Sequence, residues 1–194
     1  FGAGGHAVSA IDVIEKTKKF KILFVLDKFD GRIGKYKVFR QKKQLKFYKK
    51  FTNKAFITIG QIKNANIRRK LHENLLKEKF ILPSIVSPLA YVADSTKIGA
   101  GTIVMHHAIL NAKSEVGQNC IINTKALIEH GVKIENNCHL STGCIVNGDS
   151  HVKNGTFLGS GSIIIQGLKI GKNAIIGAGK IIKKNLSNKK VFNK

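Results

Sequence analysis

Seven histidines and three cysteines are the side chains in these 194 residues best suited to acid–base, nucleophilic or metal chemistry. His106, His107, His130, His139 and His151 fall in one region. Histidine accepts a proton near neutral pH, and several together can hold zinc. A different chemistry is offered at the amino end, where Phe1 to His6 reads F-G-A-G-G-H ahead of apolar positions Ala7, Ala10, Ile11 and Ile14. That spacing predicts a helix to about Lys18, and a glycine turn opening a helix aims backbone N–H groups and the helix dipole at an anion such as pyrophosphate. The third glycine of the dinucleotide fingerprint is missing. Phe20 to Leu26 (F-K-I-L-F-V-L) predicts a strand ending at Asp27, a place from which a carboxylate can accept a hydrogen bond from a ribose or sugar ring.

The elements that must position these groups are of two kinds. From Val92 an aliphatic residue recurs every sixth position, through Ile98, Val104, Leu110 and onward to Ile176 and Ile182. A second register four residues behind it is made mostly of small residues, among them Ala108, Ser114, Ala126, Thr156 and Ala174. A period of six fits neither a helix nor plain strand alternation. It fits a short strand plus a tight turn, repeated as one side of a solenoid. Three sides close a triangular coil, with the large aliphatic residue inside and coils stacked at about 4.8 Å, the spacing of paired strands. His130 lies two residues after the interior Ile128, where a side chain can leave the wall of the prism. Cys120, Cys138 and Cys144 all lie in the small, inward register, which makes them packing residues rather than nucleophiles.

Before the solenoid, Ala55 to Ile59 predicts a strand broken by Gly60. Asn64 to Lys79 predicts an amphipathic helix buried on Ile67, Leu71, Leu75 and Leu76, and Phe80 to Leu82 a further strand. Gly31 to Lys54 reads as a lysine-rich connection with a short helix around Gln41 to Phe51. Strand and helix alternating with short links predict a small parallel α/β sheet of Rossmann-like type, entered inside its first strand. Pro83 and Pro88 mark the link, which divides the chain into residues 1–84 and 85–194. The formal charge of +23 raises nucleic acid as a partner. The lysines, however, accompany abundant Asn, Ile and Phe, a compositional signature that needs no nucleic acid to explain it. Phosphate-rich small ligands would benefit from the same field. With no run of eighteen apolar residues and no signal-peptide pattern, the expected setting is cytoplasmic, without membrane insertion.

The hexad run resembles the hexapeptide-repeat acyltransferases. That resemblance implies a left-handed parallel β-helix, a homotrimer and active sites between neighbouring prisms; the handedness comes from it alone, since parallel crossovers otherwise favour the right hand. With G-A-G-G-H in front and N-T-K-A-L-I-E-H at Asn123 to His130, the whole chain is similar to the sugar acetyltransferases of bacterial surface glycan pathways. One branch N-acetylates a nucleotide-linked amino-dideoxy sugar, as in bacillosamine synthesis. The sialic acid O-acetyltransferase branch shares the run from Ile121 to Gly148, including C-H-L-S-T-G-C-I-V-N-G. The resemblance implies acetyl-CoA as co-substrate and no metal. It makes His130 the proton acceptor, with Glu129 beside it, and sets His139 next to the acetyl group. Gly148, Ser160 and Ala178 fall where coenzyme A is bound. Asn123, Gly4, Gly5, His6, Asp27, Lys28 and Gly60 fall on the side of the nucleotide sugar.

Three departures stand out. Bacillosamine enzymes carry an acidic residue after the catalytic histidine, where this chain has Gly131, so any support for His130 must come from Glu129 or Glu135. Lys28 replaces a carboxylate, and the G-x-P-A-K type turn is missing from Asn185 to Lys194. The acceptor sugar, and N- versus O-acetylation, stay open at this level. Two readings from other classes compete: a zinc β-helix of the carbonic anhydrase type, using three of the histidines, and a scaffold without activity.

Overall fold

The computed structural model describes residues 1–42, 44–62 and 64–193. From Ile85 onward the chain is a solenoid of two-residue strands whose parallel partners lie one coil, eighteen residues, apart, as in Ile121↔His139 and Leu127↔Ile145. The strands stack into three ladders of seven, six and five. The hexad begins one strand earlier than Val92, at Ile85–Val86, which pairs with Ile103–Val104. The last coil is two residues shorter than the rest, because Val191–Phe192 pairs with Ile175–Ile176. Inside, the aliphatic and small registers form one continuous core from Val104 to Leu186, and it includes Cys120, Cys138 and Cys144. Every sixth residue from Gly101 to Gly179 has a positive φ, since each corner needs one left-handed residue.

Identical inside, the three faces differ outside. The seven-stranded first face presents Ile85, Ile103, Ile121, His139 and Phe157, and most of this row is buried. The six-stranded second face presents Tyr91, Ile109, Leu127, Ile145, Ile163 and Ile181. Tyr91 is 59% exposed and Ile181 49%. The five-stranded third face presents Lys97, Glu115, Lys133, His151 and Lys169, with Lys97 Nζ 2.8 Å from Glu115 Oε1.

What covers the first face is the α/β unit. Helix α1 (Gly5–Thr17) packs Ala10, Val13 and Ile14 on Ile85, Ile103 and Ile121. Behind α1 is a sheet built of β1 (Val25–Asp27), β2 (Gly31–Ile33) and β3 (Tyr36–Arg40), in the order β1-β3-β2 with β1 and β3 parallel. Phe1–Ala3 extends it on the other side of β1: Gly2 N–H donates to Leu26 O, and Thr58 N–H to Phe1 O. Residues 54–58 come next, then Ile81, bridged in parallel to Lys54. The far side is packed by the 3-10 turn Leu45–Lys50 and α2 (Asn66–Lys77).

Two sequence expectations need correcting here. The stretch read as a connection holds the β2–β3 hairpin, in which Val38 is buried while Lys37 and Phe39 face outward, as strand alternation demands. Helix α2 is rotated from the predicted face. Ile67 is 68% exposed and Leu76 43%, whereas Arg68, His72 and Leu75 are buried. Arg68 turns the helix: its guanidinium donates to the carbonyls of Ile57 and Ile59 in the α/β unit and to those of Gly101 and Asn119 in the prism. Burial lowers its pKa to about 10, which leaves it charged at neutral pH. Without it, each orphaned buried carbonyl would cost about 1–3 kcal/mol. A second tie is the chain Ser87 Oγ, His106 and Asp12, with distances of 2.6 Å at Nδ1 and 2.7 Å at Nε2. No helix among the described residues is long and apolar enough to cross a membrane.

Candidate active site

The glycine turn is set by the sheet. Gly2 has φ +111, and a Cβ there would lie 2.9 Å from Ile59 N, so only glycine fits between the strands. Asp27 braces the turn: Oδ2 accepts from Ala3 N–H at 2.6 Å and Oδ1 from Lys28 N–H at 2.6 Å. Its first role in the structure is therefore to shape the loop, with lone pairs left over for a ligand. Gly4 and Gly5 open α1 with no side-chain cap and open space around them, so the first amides of the helix are free for an anion. The His6 side chain turns inward and its Cβ lies 3.5 Å from where a Gly60 Cβ would stand. Burial above all, with Arg68 and His139 adding, lowers the His6 pKa to about 3, and its Nε2 is buried without a partner.

On the prism, His139 belongs to the first face, against the segment that follows Gly60. Its Nδ1 lies 2.5 Å from the carbonyl oxygen of Gln61, its Nε2 3.3 Å from Asn123 Nδ2, and its ring meets the Phe157 edge at 5.2 Å. Burial lowers its pKa to about 4. Asn123, Ser141, Ser160 and Ala178 occupy the corner between the first and second faces, with Ser141 Oγ and Ser160 Oγ 3.0 Å apart. At Gly161 and Gly179 on that corner, a Cβ would meet nothing within 4 Å. A row of small residues with room beside it leaves the backbone of this corner accessible to a thin ligand.

His130 stands at the next corner, beyond the second face, and is exposed. A Cβ on Gly148 would fall 2.7 Å from His130 Cε1, so glycine at 148 is what lets the imidazole lie across the coil below. Glu129 accepts from Asn111 Nδ2 at 2.9 Å. Glu135 belongs to the third face, where it accepts from Asn154 and stands 2.8 Å from His151 Nε2. Gly131 has φ +66, and the carboxylate of Asp149 occupies the space its Cβ would need. Asp149 also donates its N–H to His130 O at 3.0 Å. Sequence reading missed Asp149, Gln61 and Arg68. The only trace of the first is its place one coil, eighteen residues, beyond Gly131.

One chain thus brings His6 and Gly60 of the α/β unit near Asn123 and His139 of the prism. His130, Glu129 and Gly148 lie one side of the triangle away. Of the histidines a zinc site would draw on, His106, His139 and His151 are bonded to other partners, and among the described residues no group of three His, Cys, Asp or Glu is arranged to hold a metal.

A coiled prism with small-residue corners, capped on one face by an α/β unit with a glycine turn, defines a hexapeptide-repeat acyltransferase with a left-handed β-helix. Residues 1–75 match the family model described as PglD N-terminal domain, and residues 115–147 and 153–184 that of the hexapeptide repeat of succinyl-transferase. Among solved structures, at least three are similar over nearly the whole chain. The acetyltransferase domain of PglB from Neisseria gonorrhoeae in complex with acetyl coenzyme A is 25% identical, with TM-score 0.89, covering 98% of this chain and 92% of that one. PerB from Caulobacter crescentus, in complex with CoA and GDP-perosamine, is 26% identical, with TM-score 0.76 and coverage of 98% and 90%. WeeI from Acinetobacter baumannii, at 21% identity and TM-score 0.84 over 98% of this chain and 92% of its own, shares the fold. No curated protein sequence matches the chain.

Proposed function

We propose that this protein transfers the acetyl group of acetyl-CoA to the amino group of a nucleotide-linked amino-dideoxy sugar, in a site completed between two copies of the chain. The observation that carries the reading is the layout around the second face. That face is an apolar row, exposed at Tyr91, Ile109 and Ile181 and half-buried between them, with Asn123 and the small-residue corner at one edge and His130 at the other. When like faces pack around a threefold axis, the His130 edge of one prism meets the Asn123 edge of the next, and a homotrimer joins the two halves three times. Burying such a row is favourable by about 25 cal/mol per Å² of apolar surface. Complexes of similar proteins with acetyl coenzyme A, and with CoA and GDP-perosamine, support the two substrate classes.

The neutral amine attacks the thioester carbonyl. A C–N bond forms, the C–S bond breaks, the amine proton passes to His130 and on to the departing thiolate, and the products are the acetamido sugar and free CoA. The anion-ready turn at Gly4 and Gly5, braced by Asp27, takes the diphosphate. Lys28, next to it, adds positive charge on the same side. The three cysteines are buried in the core, which favours direct transfer over an acyl-enzyme.

The test is incubation with acetyl-CoA and a panel of nucleotide-linked amino sugars, CMP-sialic acid and free sialic acids, read by mass spectrometry. Gain of one acetyl group on an amino sugar is the expected result. Gain on a sialic acid hydroxyl would reassign the acceptor, and no transfer to any member would sink the reading.

A further inference from the structure

We infer that the side of the α/β unit turned away from the prism is a docking surface for an anionic membrane, with exposed phenylalanines at its centre and lysines around them. Charge is the first observation. Between Asp30 and Glu73 the sequence has ten lysines, four arginines and no acidic residue. Abundant lysine does not by itself empty a stretch of carboxylates. The prism from Ser150 onward also lacks acidic residues, but among its described residues no aromatic side chain is exposed.

The fold supplies the second observation. In β3 the buried Val38 packs with Ala7 of α1, so Lys37 and Phe39 point to the opposite side of the sheet. There Phe24 meets Phe39 at 6.3 Å and Phe51 at 5.9 Å, both nearly edge to face, and Phe47 lies 5.8 Å from Phe51. The four rings make one cluster, and at its outer edge Phe39 is 46% and Phe51 57% exposed. Lysines surround it. Lys42 Nζ stands 3.7 Å and Lys50 Nζ 5.8 Å from the centre of the Phe47 ring, and Lys46 and Lys49 are exposed on the same turn. The Lys42 N–H donates to the Tyr48 hydroxyl at 2.7 Å, which holds this loop against the turn. Among the described residues, none of these lysines is in an ion pair with a carboxylate.

Such a surface suits a bilayer interface. Aromatic rings settle at the level of the headgroups, lysines on long stems add attraction to anionic lipid, and the two together give reversible binding of a protein that lies on the membrane without spanning it. Nucleic acid is the other polyanion that this charge could meet, and it would stack its bases on open ring faces. Here the rings meet edge to face and point in different directions, and Lys42 covers a face of Phe47. The sheet and α1 stand between this surface and the prism, so it stays outward when second faces pack around a threefold axis.

The test is sedimentation of the full chain with vesicles of phosphatidylcholine alone, and of phosphatidylcholine and phosphatidylserine in a ratio of three to one. Binding is expected to the mixed vesicles only, and it should weaken with salt. Phe39→Ser combined with Phe51→Ser should lower it about tenfold, by loss of the apolar anchor. Lys46→Glu combined with Lys50→Glu should lower it by about tenfold or more. Lys183→Glu combined with Lys184→Glu makes the same change in net charge on the last coil of the prism, and should leave binding within about twofold. If that control weakens binding as much as the turn variant does, the attraction is diffuse charge and the inference fails. Absence of binding to the mixed vesicles would overturn it as well, as would binding to single-stranded RNA alone that the phenylalanine variant weakens. None of these readouts uses acetyl transfer, so they decide the docking surface whether or not the proposed function holds.

Discussion

The second and third faces of the prism have the same backbone and the same interior. One shows a row of isoleucine, leucine and tyrosine; the other shows lysine, glutamate and histidine, paired in part as Lys97–Glu115 and Glu135–His151. Each strand has two residues, one pointing in and one out. The inward residue therefore fixes the fold and the outward one is free to decide what the face meets. In a solenoid the two tasks are separated residue by residue, so a partner can be chosen without any change to the core.

That contrast is broken most severely by charge on the apolar face. Ile145→Glu should give monomers in sedimentation and reduce acetyl transfer to background while the circular dichroism of the prism is kept; a trimer with full activity would show that the second face has no part in assembly. The next largest effect belongs to the edge of that face. His130→Ala should lower kcat about 10² to 10⁴-fold, as loss of a positioned base does, with the trimer intact, and a loss of less than threefold would move the base elsewhere. On the capped first face, Asp27→Ala should raise KM for the nucleotide sugar about tenfold, or about 1.4 kcal/mol, and leave KM for acetyl-CoA nearly unchanged.

A smaller effect is expected from pH. Folding lowers the pKa of His6 to about 3 and of His139 to about 4 from an ordinary value of 6.5. Below pH 6.5 the unfolded chain binds protons that the folded chain refuses, so stability should be complete above 6.5 and decline as pH falls through 4 and on to 3. Denaturant titrations from pH 7 to 4 should show the loss, and His139→Gln should flatten it; an unchanged slope would mean that the ring protonates in the folded state. Least of all should Lys133→Glu on the charged face matter, within about 0.5 kcal/mol of stability and with no change in assembly.

The prism was legible because its rule is local. An interior aliphatic every six residues needs no knowledge of what lies across the molecule, and the reading erred only at the ends, by one strand at Ile85 and by the shortened last coil. The α/β unit was less legible where long-range contacts decide. Helix α2 offers Ile67 and Leu76 to any calculation of apolar faces, yet buries Arg68, because the acceptors for its guanidinium come from Gly101 and Asn119 in the prism. The same limit applied to the candidate site. His6, Gly60, Asn123 and His139 were named from resemblance and lie near one another, but the His139 ring is held by the carbonyl of Gln61, a residue with no motif around it. The carboxylate of Asp149 over Gly131 was invisible, since eighteen residues separate neighbours that the coil makes adjacent.

Positions 131 and 149 are consequently coupled in space. The carboxylate of Asp149 fills the space that any side chain at 131 would enter, and the backbone at 131 already asks for glycine. Gly131→Asp alone should be poorly tolerated, whereas Gly131→Asp combined with Asp149→Gly relieves the crowding and carries the acid from one coil to the next.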